Sequence, residues 1–415
     1  MNRVVAFCFL LLAAVLGYLH IDSRPTWAPF AIPNTSIDPT EQERAPELAQ
    51  ANKNVPTNSR SSIKASTAQV SPVVDWLPDS GAPSVHAASL IALKDGAVRA
   101  FWFAGSREGA ADVVINTAVY DSRSARWSAP TVVMDRVSAE KGLSRYIAKL
   151  GNPVPARMAD GRIQLFVVTV SIGGWAGSSI STVISDDEGL TWSQPARLIT
   201  SPLINLSTLV KAPPLQFSDG SLGLPAYHEW IGRFGEFLRL DVHQVIDKRR
   251  MSSGRGAIQP VVFVDDAQEA SAFFRQTRAS SQAKKIPVSE TKNAGQSWQV
   301  TADLAIANPN SALASLTLVD GTRLMVLNDI EVGRYRLVML MRKQGSTEWE
   351  LIQVLEDDES LANDQRREYS YPYLITADGK DAHLAYTWNR KKIRHIYFPA
   401  AWFEQAHDHV KEIKQ

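Results

Sequence analysis

The stretch SDDEGLTWSQP, residues 185–195, places three acidic side chains next to one another: Asp186, Asp187 and Glu188. Adjacent carboxylates act as acids and bases in catalysis or as oxygen ligands of a calcium ion. A calcium loop needs further oxygen ligands at alternating positions and a closing Glu, and neither follows in this sequence. A second stretch, TKNAGQSW at 291–298, repeats the hydroxyl, Asx, Gly and Trp positions. The repetition indicates a structural turn, so the chemistry is expected elsewhere.

No metal or cofactor motif stands out in the rest of the sequence. The eight histidines are scattered, and the only cysteine is Cys8, which excludes a disulfide and a thiolate metal site in the body of the chain. Neither a phosphate-binding glycine loop nor a dinucleotide fingerprint is present. We therefore expect no cofactor. The net charge of +1 and the pI of about 7.8 give no broad basic surface, so nucleic acid is not expected as a partner.

The N-terminus carries an apolar run, VVAFCFLLLAAVLGYL, behind Arg3, which is typical of a secretory signal or an uncleaved anchor. The small-x-small cleavage pattern is poor, which favours retention through residues 4–19 as an inner-membrane anchor. The polar residues that follow predict a disordered linker. The chain is thus predicted to be exported, and to be periplasmic, anchored or secreted.

Beyond residue 70, short runs of Val, Ile, Phe, Tyr and Trp are separated by Asp-Gly, Ser and Pro turns, which predicts β-strands and hairpins. One long interval between Asp-Gly turns has room for a further unit, IQPVVFVDDAQEASAFFRQTR at 258–278. Six units with a period of about 50–60 residues predict an all-β, six-bladed β-propeller. A strand near 68–74 is expected to complete the last sheet. The Asp-Gly turns begin at Asp95, Asp160, Asp219, Asp320 and Asp378.

The two repeated turns match the Asp box of sialidases, S-x-D-x-G-x-T-W, and the chain resembles the sialidase superfamily. The resemblance is greatest to its predicted neuraminidases with BNR repeats, and covers residues 80–398. In the box, the Asp accepts backbone N–H bonds, the Gly takes a positive φ and the Trp packs between blades. Further marks are HAASLIAL, FAGSREGAADV, GNPV, NPNSALASLTLVDG, GRYRLV, EYSYP and TWNRKKIRHI.

The predicted organisation follows from these observations. It is a signal peptide or anchor at 1–22, a linker at 23–70, a sialidase-like propeller at 71–400 and a C-terminal tail with helical character at 401–415.

The resemblance implies a set of catalytic residues. Sialidases use a tyrosine nucleophile because a carboxylate would be repelled by the substrate's own carboxylate. EYSYPYLI places that tyrosine at Tyr369, with Tyr371 as the alternative on the same face of the strand. FAGSREGAADV places the acid at Asp112, with Glu108 as its rival, and a substrate-binding arginine at Arg107.

The fourth and fifth units supply the other positions of the sialidase pattern. They give Arg275 and Arg334 as arginines that bind the substrate carboxylate. Gln259 stands where sialidases have the glutamate that activates the tyrosine, and an amide cannot accept its proton. His86 stands where sialidases have a further arginine. Glu236 or Glu229 is then the candidate base, since Glu368 is expected to point to the opposite face from Tyr369.

We therefore expect an exo-glycosidase that hydrolyses a terminal acidic sugar from a glycan or exopolysaccharide. Lys211 and His228 are expected to line the same end of the propeller as Glu229 and Glu236. Two alternatives remain open: a polysaccharide lyase that uses His86, His228 and a tyrosine, and a propeller that binds glycan without turnover.

Overall fold

The computed structural model describes residues 3–22, 27–32, 70–201, 205–241, 244–253, 256–278 and 284–406. The chain forms two compact units. Unit I comprises Met1–Ala31 and Arg136–Ile306, and unit II comprises Ile32–Asp135 and Ala307–Gln415.

The described residues form six antiparallel sheets of four or five strands, which confirms the prediction of an all-β, six-bladed β-propeller. We number the sheets as blades 1 to 6 in chain order. Unit I contains blades 2, 3 and 4, and unit II contains blades 1, 5 and 6. As predicted, a strand from the N-terminal side completes the last blade: β1 (Val73–Trp76) pairs with the final strand of the chain.

The first three blades contain four or five strands each. Blade 1 consists of β2 (Ser84–Ala92), β3 (Val98–Gly105), β4 (Val114–Asp121), β5 (Arg126–Trp127) and β6 (Thr131–Met134). Blade 2 consists of β7 (Lys149–Arg157), β8 (Ile163–Val170), β9 (Ser178–Ser185) and β10 (Ala196–Arg197). Blade 3 consists of β11 (Leu209–Val210), β12 (Leu215–Gln216), β13 (Leu222–His228), β14 (Phe234–Asp241) and β15 (Gln244–Arg250).

The later blades contain four strands each. Blade 4 consists of β16 (Ala257–Val264), β17 (Ala270–Gln276), β19 (Val288–Thr291) and β20 (Gln299–Val300), and a separate pair joins β18 (Lys285–Ile286) to β21 (Leu304–Ala307). Blade 5 consists of β22 (Ala314–Thr317), β23 (Arg323–Leu327), β24 (Arg336–Arg342) and β25 (Glu350–Asp357). Blade 6 consists of β26 (Tyr369–Ile375), β27 (Ala382–Trp388), β28 (Lys392–Phe398) and β1.

Helices are few in the described part of the chain. The apolar N-terminal run forms α1 (Arg3–Asp22), α2 (Arg136–Leu143) precedes blade 2, and residues 400–406 are helical. None of the described helices has the length and hydropathy needed to span a membrane.

The predicted Asp-Gly turns join consecutive antiparallel strands in five blades: the first and second strands of blades 1, 2, 5 and 6, and β12 and β13 of blade 3. In each turn the aspartate Oδ1 accepts a backbone N–H from two residues further on, at 2.8–3.0 Å. The glycine that follows has a φ between +78° and +86°, a conformation that favours glycine because other residues are strained there. The same short hairpin therefore fixes the register of the strands that it joins in these five blades.

The Asp boxes are turns at the outer strands, as predicted. Asp187 accepts the N–H and the hydroxyl of Thr191 at 2.9 and 2.6 Å, and hydrogen bonds from Thr191 and Ser185 lower its pKa to about 2. In the second box Asn293 takes the position of Asp187 and accepts the N–H of Ser297 at 2.9 Å. Its tryptophan, Trp298, packs edge-on against Phe237 of blade 3 at 5.6 Å.

The predicted linker is wrong at its start. Most of residues 23–70 lie outside the described residues, but Trp27 and Phe30 are 3% and 2% exposed and belong to the core of blades 3 and 4. Phe30 stacks on Phe217 at 5.2 Å and pairs with it as an isolated β-bridge. Aromatic residues cannot bury this much surface in a disordered tether, so the folded body already includes residues 27–32.

Candidate functional site

The first strands of three blades share a bulge that determines which side chains project from them. Each register shift contains a non-glycine residue with positive φ: Ala87 at +54°, Gln259 at +50° and Tyr371 at +55°. All three lie near the end of the sheet at which the first strand begins, which we call the upper edge. Strained backbone of this kind costs about 1–3 kcal/mol and concentrates at functional sites. The bulges therefore mark the upper edges of blades 1 and 6 in unit II, and of blade 4 in unit I, as candidate sites.

Tyr369, the predicted nucleophile, is fully buried in the core of blades 5 and 6. Its hydroxyl donates to Asp358 at 2.9 Å, and its ring packs beside Trp388. Burial, and next the hydrogen bond to Asp358, raises the pKa of Tyr369 above its usual value. A nucleophile must lose its proton readily and reach the substrate, and this environment opposes both.

Period-two alternation predicted that Tyr371 and Tyr369 share one face of the strand, and this is wrong. The bulge between Ser370 and Tyr373 interrupts the alternation, so the two side chains lie on different faces. The Tyr371 ring contacts that of His86 with the centroids 4.3 Å apart. His86 is 1% exposed and also packs edge-on against Phe103. The bulge thus brings a tyrosine and a histidine from blades 6 and 1 together within unit II.

An ion-pair network lies on the same part of unit II. The Glu368 carboxylate accepts hydrogen bonds from Arg334 at 2.9 Å, Arg390 at 3.0 Å and Ser370 at 2.8 Å, and Arg390 also contacts Glu108. Burial alone would raise the pKa of Glu368, but the hydrogen bond from Arg390 and the charges of both arginines outweigh it and lower the pKa to about 2. Glu368 is therefore ionised at all physiological pH values.

Arg107 and Asp112, predicted as substrate ligand and acid, are exposed in the loop that follows β3. The Asp112 carboxylate accepts the backbone N–H and the hydroxyl of Ser106, both at 2.9 Å. These bonds lower its pKa, and the Ser106 side chain is the largest cause. A general acid needs a raised pKa, so the surroundings of Asp112 do not favour proton donation in this state.

In unit I, the predicted pair from the fourth blade meets in space. Arg275 donates to the side-chain oxygen of Gln259 at 3.1 Å, and the Gln259 amide donates to the Tyr227 hydroxyl at 3.1 Å. Asn152, from the bulge of blade 2, lies 3.5 Å from the same hydroxyl and donates to the Val210 carbonyl. An amide at position 259 thus bridges an arginine and a tyrosine, where a glutamate would neutralise the arginine.

Two further predicted residues of unit I have shifted pKa values. Burial lowers the pKa of Lys211, which is 5% exposed, to about 7. Burial raises the pKa of Glu229, although the charges of Arg275 and Arg233 act in the opposite direction. Such shifts are common at functional sites.

His228 and Glu236 lie in neighbouring strands of blade 3. The His228 ring stacks on Phe234 at 4.8 Å, and its Nε2 accepts the N–H of Ile231 at 3.2 Å. Burial is the largest cause that lowers the pKa of His228, and the charge of Glu236 partly opposes it. Glu236 itself is 6% exposed and pairs with Lys248 at 3.2 Å.

Sequence reasoning missed Arg390 as a site residue and expected Glu368 to point to the opposite face of the strand from Tyr369. Arg390 stands in TWNRKKIRHI, a stretch that marks the subgroup, and that was the available signal. Among the residues that the structure describes, no group of three or more His, Cys, Asp and Glu side chains is arranged to hold a metal ion.

Comparisons with known proteins agree with this architecture. A family model described as a BNR repeat-like domain matches residues 96–384. Comparison with curated protein sequences finds no match.

Several solved structures are similar. A Hadza microbial sialidase aligns with a TM-score of 0.62 at 14% identity, over 77% of this chain and 66% of that one. The intramolecular trans-sialidase of Ruminococcus gnavus aligns at 0.59 and 13%, over 78% and 96% of the two chains. A protein of unknown function from Dyadobacter fermentans aligns at 0.63 and 11%, over 79% and 97%. At 11–14% sequence identity, these structural alignments show a shared fold and nothing more.

Proposed function

Since the chain belongs to the BNR repeat-like domain family, we propose that it is a sialidase-like exo-glycosidase that hydrolyses a terminal acidic sugar from a glycan or exopolysaccharide. The observation that carries the proposal is the contact between Tyr371 and His86, with Glu368 three positions before Tyr371 in the chain. The upper edge of unit II then presents a tyrosine, an imidazole and an arginine–glutamate network, which suits glycoside chemistry.

Tyr371 is the nucleophile in this proposal. A sugar acid with its carboxylate on the anomeric carbon repels an anionic nucleophile, so a neutral phenol that loses its proton during attack is favoured. His86 is the group that takes this proton, because imidazole accepts protons near neutral pH. It replaces the glutamate of the sialidase pattern, whose position holds Gln259.

The arginines proposed to bind the anionic substrate differ in their hydrogen-bond partners. Arg334 and Arg390 are already paired with Glu368, which holds their guanidinium groups in place. Arg275, in unit I, donates instead to the neutral amide of Gln259 at 3.1 Å. Glu108, in the loop after β3, protonates the leaving oxygen in this proposal, because the hydrogen bonds from Ser106 disfavour proton donation by Asp112.

Two tyrosines on one strand provide the test. Turnover of aryl-glycosides of sialic acid, uronic acids and deoxy-sugars is measured for the wild type, Tyr371→Phe and Tyr369→Phe. We expect Tyr371→Phe to lower kcat by at least about a hundredfold with an unchanged melting temperature. Tyr369→Phe should keep its turnover and lose about 1 kcal/mol of stability with the bond to Asp358. Equal turnover in both variants contradicts the assignment.

A lyase is the second candidate, because the same imidazole and phenol form an acid–base pair for β-elimination from a uronate. That reaction yields an unsaturated product with strong ultraviolet absorbance, which hydrolysis does not. Polysaccharide binding without either product would instead support a non-catalytic glycan-binding propeller. Export of the chain stays a prediction of its apolar N-terminal run.

A further inference from the structure

Arg145 lies between α2 and β7 in unit I and was not singled out from the sequence. Its Nη2 donates to the Thr169 hydroxyl at 2.9 Å and to the Ser179 hydroxyl at 2.7 Å. Both hydroxyl residues are buried, and Thr169 is linked further to the Ser181 hydroxyl at 2.9 Å. The guanidinium is therefore held in one position by a row of neutral side chains.

The charge of Arg145 is not balanced by any of the described residues. The neighbouring arginines of blade 2, Arg157 and Arg162, pair with Glu188 and Asp160 at 2.6 and 2.7 Å. Within the described residues no carboxylate lies within 4.0 Å of Arg145, and its Nε is buried without a hydrogen-bond acceptor. Burial, followed by the charge of Arg197, lowers its pKa. A partly buried cation without a counter-ion is unfavourable, and a bound anion would relieve this cost.

The position of Arg145 relates it to the candidate site of unit I. Thr169 and Ser179 are opposite each other at the upper edge of blade 2, where β8 ends and β9 begins. Ser178, next to Ser179, accepts the N–H of Ser207 through its carbonyl at 2.6 Å. The Ser207 hydroxyl in turn accepts the N–H of Glu229 at 2.8 Å. Ser179, which holds Arg145, is thus adjacent in the chain to Ser178, whose hydrogen bond to Ser207 leads on to Glu229 of blade 3.

We infer that Arg145 is an anion-binding residue at the upper edge of blade 2, which receives a carboxylate or sulfate group of an acidic glycan. Two of its five N–H donors are used by Thr169 and Ser179 and the Nε is buried, which leaves the two N–H groups of Nη1 for an oxyanion. That the oxyanion belongs to a glycan rests on the proposed function. The binding of an oxyanion does not.

The test measures binding without turnover. The melting temperature is recorded against rising glucuronate, sulfate and neutral glucose at constant ionic strength, for the wild type, Arg145→Gln, Arg145→Lys and Arg162→Gln. A ligand that binds the folded state raises the melting temperature in proportion to its affinity. Arg162→Gln is the matched control, because it removes the same charge from the opposite end of the same blade.

We expect glucuronate or sulfate to stabilise the wild type, and Arg145→Gln to weaken that effect at least tenfold in apparent affinity. Arg145→Lys should keep binding within a few-fold, and Arg162→Gln should match the wild type. A response to glucuronate alone identifies a carboxylate site, and a response to sulfate identifies a general oxyanion site. The inference is overturned if Arg145→Gln responds as the wild type does, or if no anion stabilises the wild type more than glucose.

The result is separable from that of the proposed function. If the protein turns over glycosides but shows no Arg145-dependent change in melting temperature, only the anion site is disproved. If the response depends on Arg145 but the protein turns over no glycoside, the anion site is supported and the glycosidase proposal is disproved.

Discussion

Burial acts differently on two ionisable side chains of the upper edge. Glu368 remains ionised because two arginines and a serine hydrogen-bond its carboxylate. Lys211 is more deeply buried, and its pKa falls to about 7 because burial removes water from its ammonium group. One residue therefore carries a fixed charge, and the other changes its charge within the physiological range.

The depressed pKa of Lys211 makes stability depend on pH in a defined window. Between pH 7 and the unfolded-state pKa of 10.5, the unfolded chain binds a proton that the folded chain does not, so this residue makes stability rise with pH. Below pH 7 the buried Lys211 side chain is protonated in the folded protein as well, and its full cost to the free energy of unfolding is then present. Lys211→Met should therefore stabilise the protein most at pH 7 and below, by on the order of 2 kcal/mol, and the advantage should shrink towards pH 10.

Urea unfolding of the wild type and Lys211→Met at several pH values measures this difference. Lys141→Met, which removes an exposed lysine of α2, controls for the loss of any lysine charge. A difference between wild type and Lys211→Met that is constant from pH 7 to pH 10 would contradict the depressed pKa.

Residue roles were the least predictable part of the site. The sequence identified Gln259 and Arg275 as two positions of one sialidase-like run, and the structure shows that they hydrogen-bond. The match to the sialidase segment placed the nucleophile at Tyr369, with Tyr371 as the alternative on the same face. Strand alternation cannot anticipate a bulge, and one inserted residue reverses which side chains face the core. Arg390 is far from Glu108 in the chain, and the packing of blade 6 against blade 1 brings them together.

At the scale of elements, the hairpins were predictable because their signals are local. An Asp side chain that accepts the N–H two residues later, followed by a glycine with positive φ, needs nothing beyond the turn itself. The Asp box is similar, but its tryptophan also packs against the neighbouring blade, as Trp298 does on Phe237. The two kinds of turn should therefore differ in their tolerance of substitution.

Gly295 and Gly96 test this difference, since both have a positive φ, of +89° and +82°. A Cβ at Gly96 would meet nothing within 4 Å, whereas one at Gly295 would lie 2.7 Å from the Phe237 ring and 3.1 Å from Trp27. Gly96→Ala should cost about 1 kcal/mol from backbone strain alone. Gly295→Ala should cost at least about 2 kcal/mol more, because buried aromatic rings must move.

Chemical denaturation of the two glycine variants gives the comparison directly. Equal losses of stability would mean that the Asp box is an isolated turn that does not depend on the packing of blades 3 and 4.

At the scale of the whole molecule, the number of blades followed from the repeat, but the true start of the folded body did not. Residues 27–32 precede a long polar stretch and contain no repeat, so composition assigned them to a linker. Their aromatic residues complete a cluster with Phe217 and Phe237 that the blades alone leave open. A short segment can thus be required by a core that forms far away in the chain.

Trp27 is the residue through which this segment should contribute most. Its ring packs against Phe217 and Phe237 at 5.7 and 5.8 Å, and its Nε1 donates to Asp247 at 2.8 Å. Trp27→Ala removes a large buried side chain and a hydrogen bond, and should cost about 3–5 kcal/mol. Trp230→Ala is the control, since Trp230 is in the same unit but 50% exposed, and it should change stability by less than about 1 kcal/mol.

Urea denaturation monitored by circular dichroism measures the stability of both variants. If the two losses are alike, residues 27–32 are not part of the folded body. If only Trp27→Ala is destabilised, any processing of the N-terminus that keeps the protein stable must cut before residue 27.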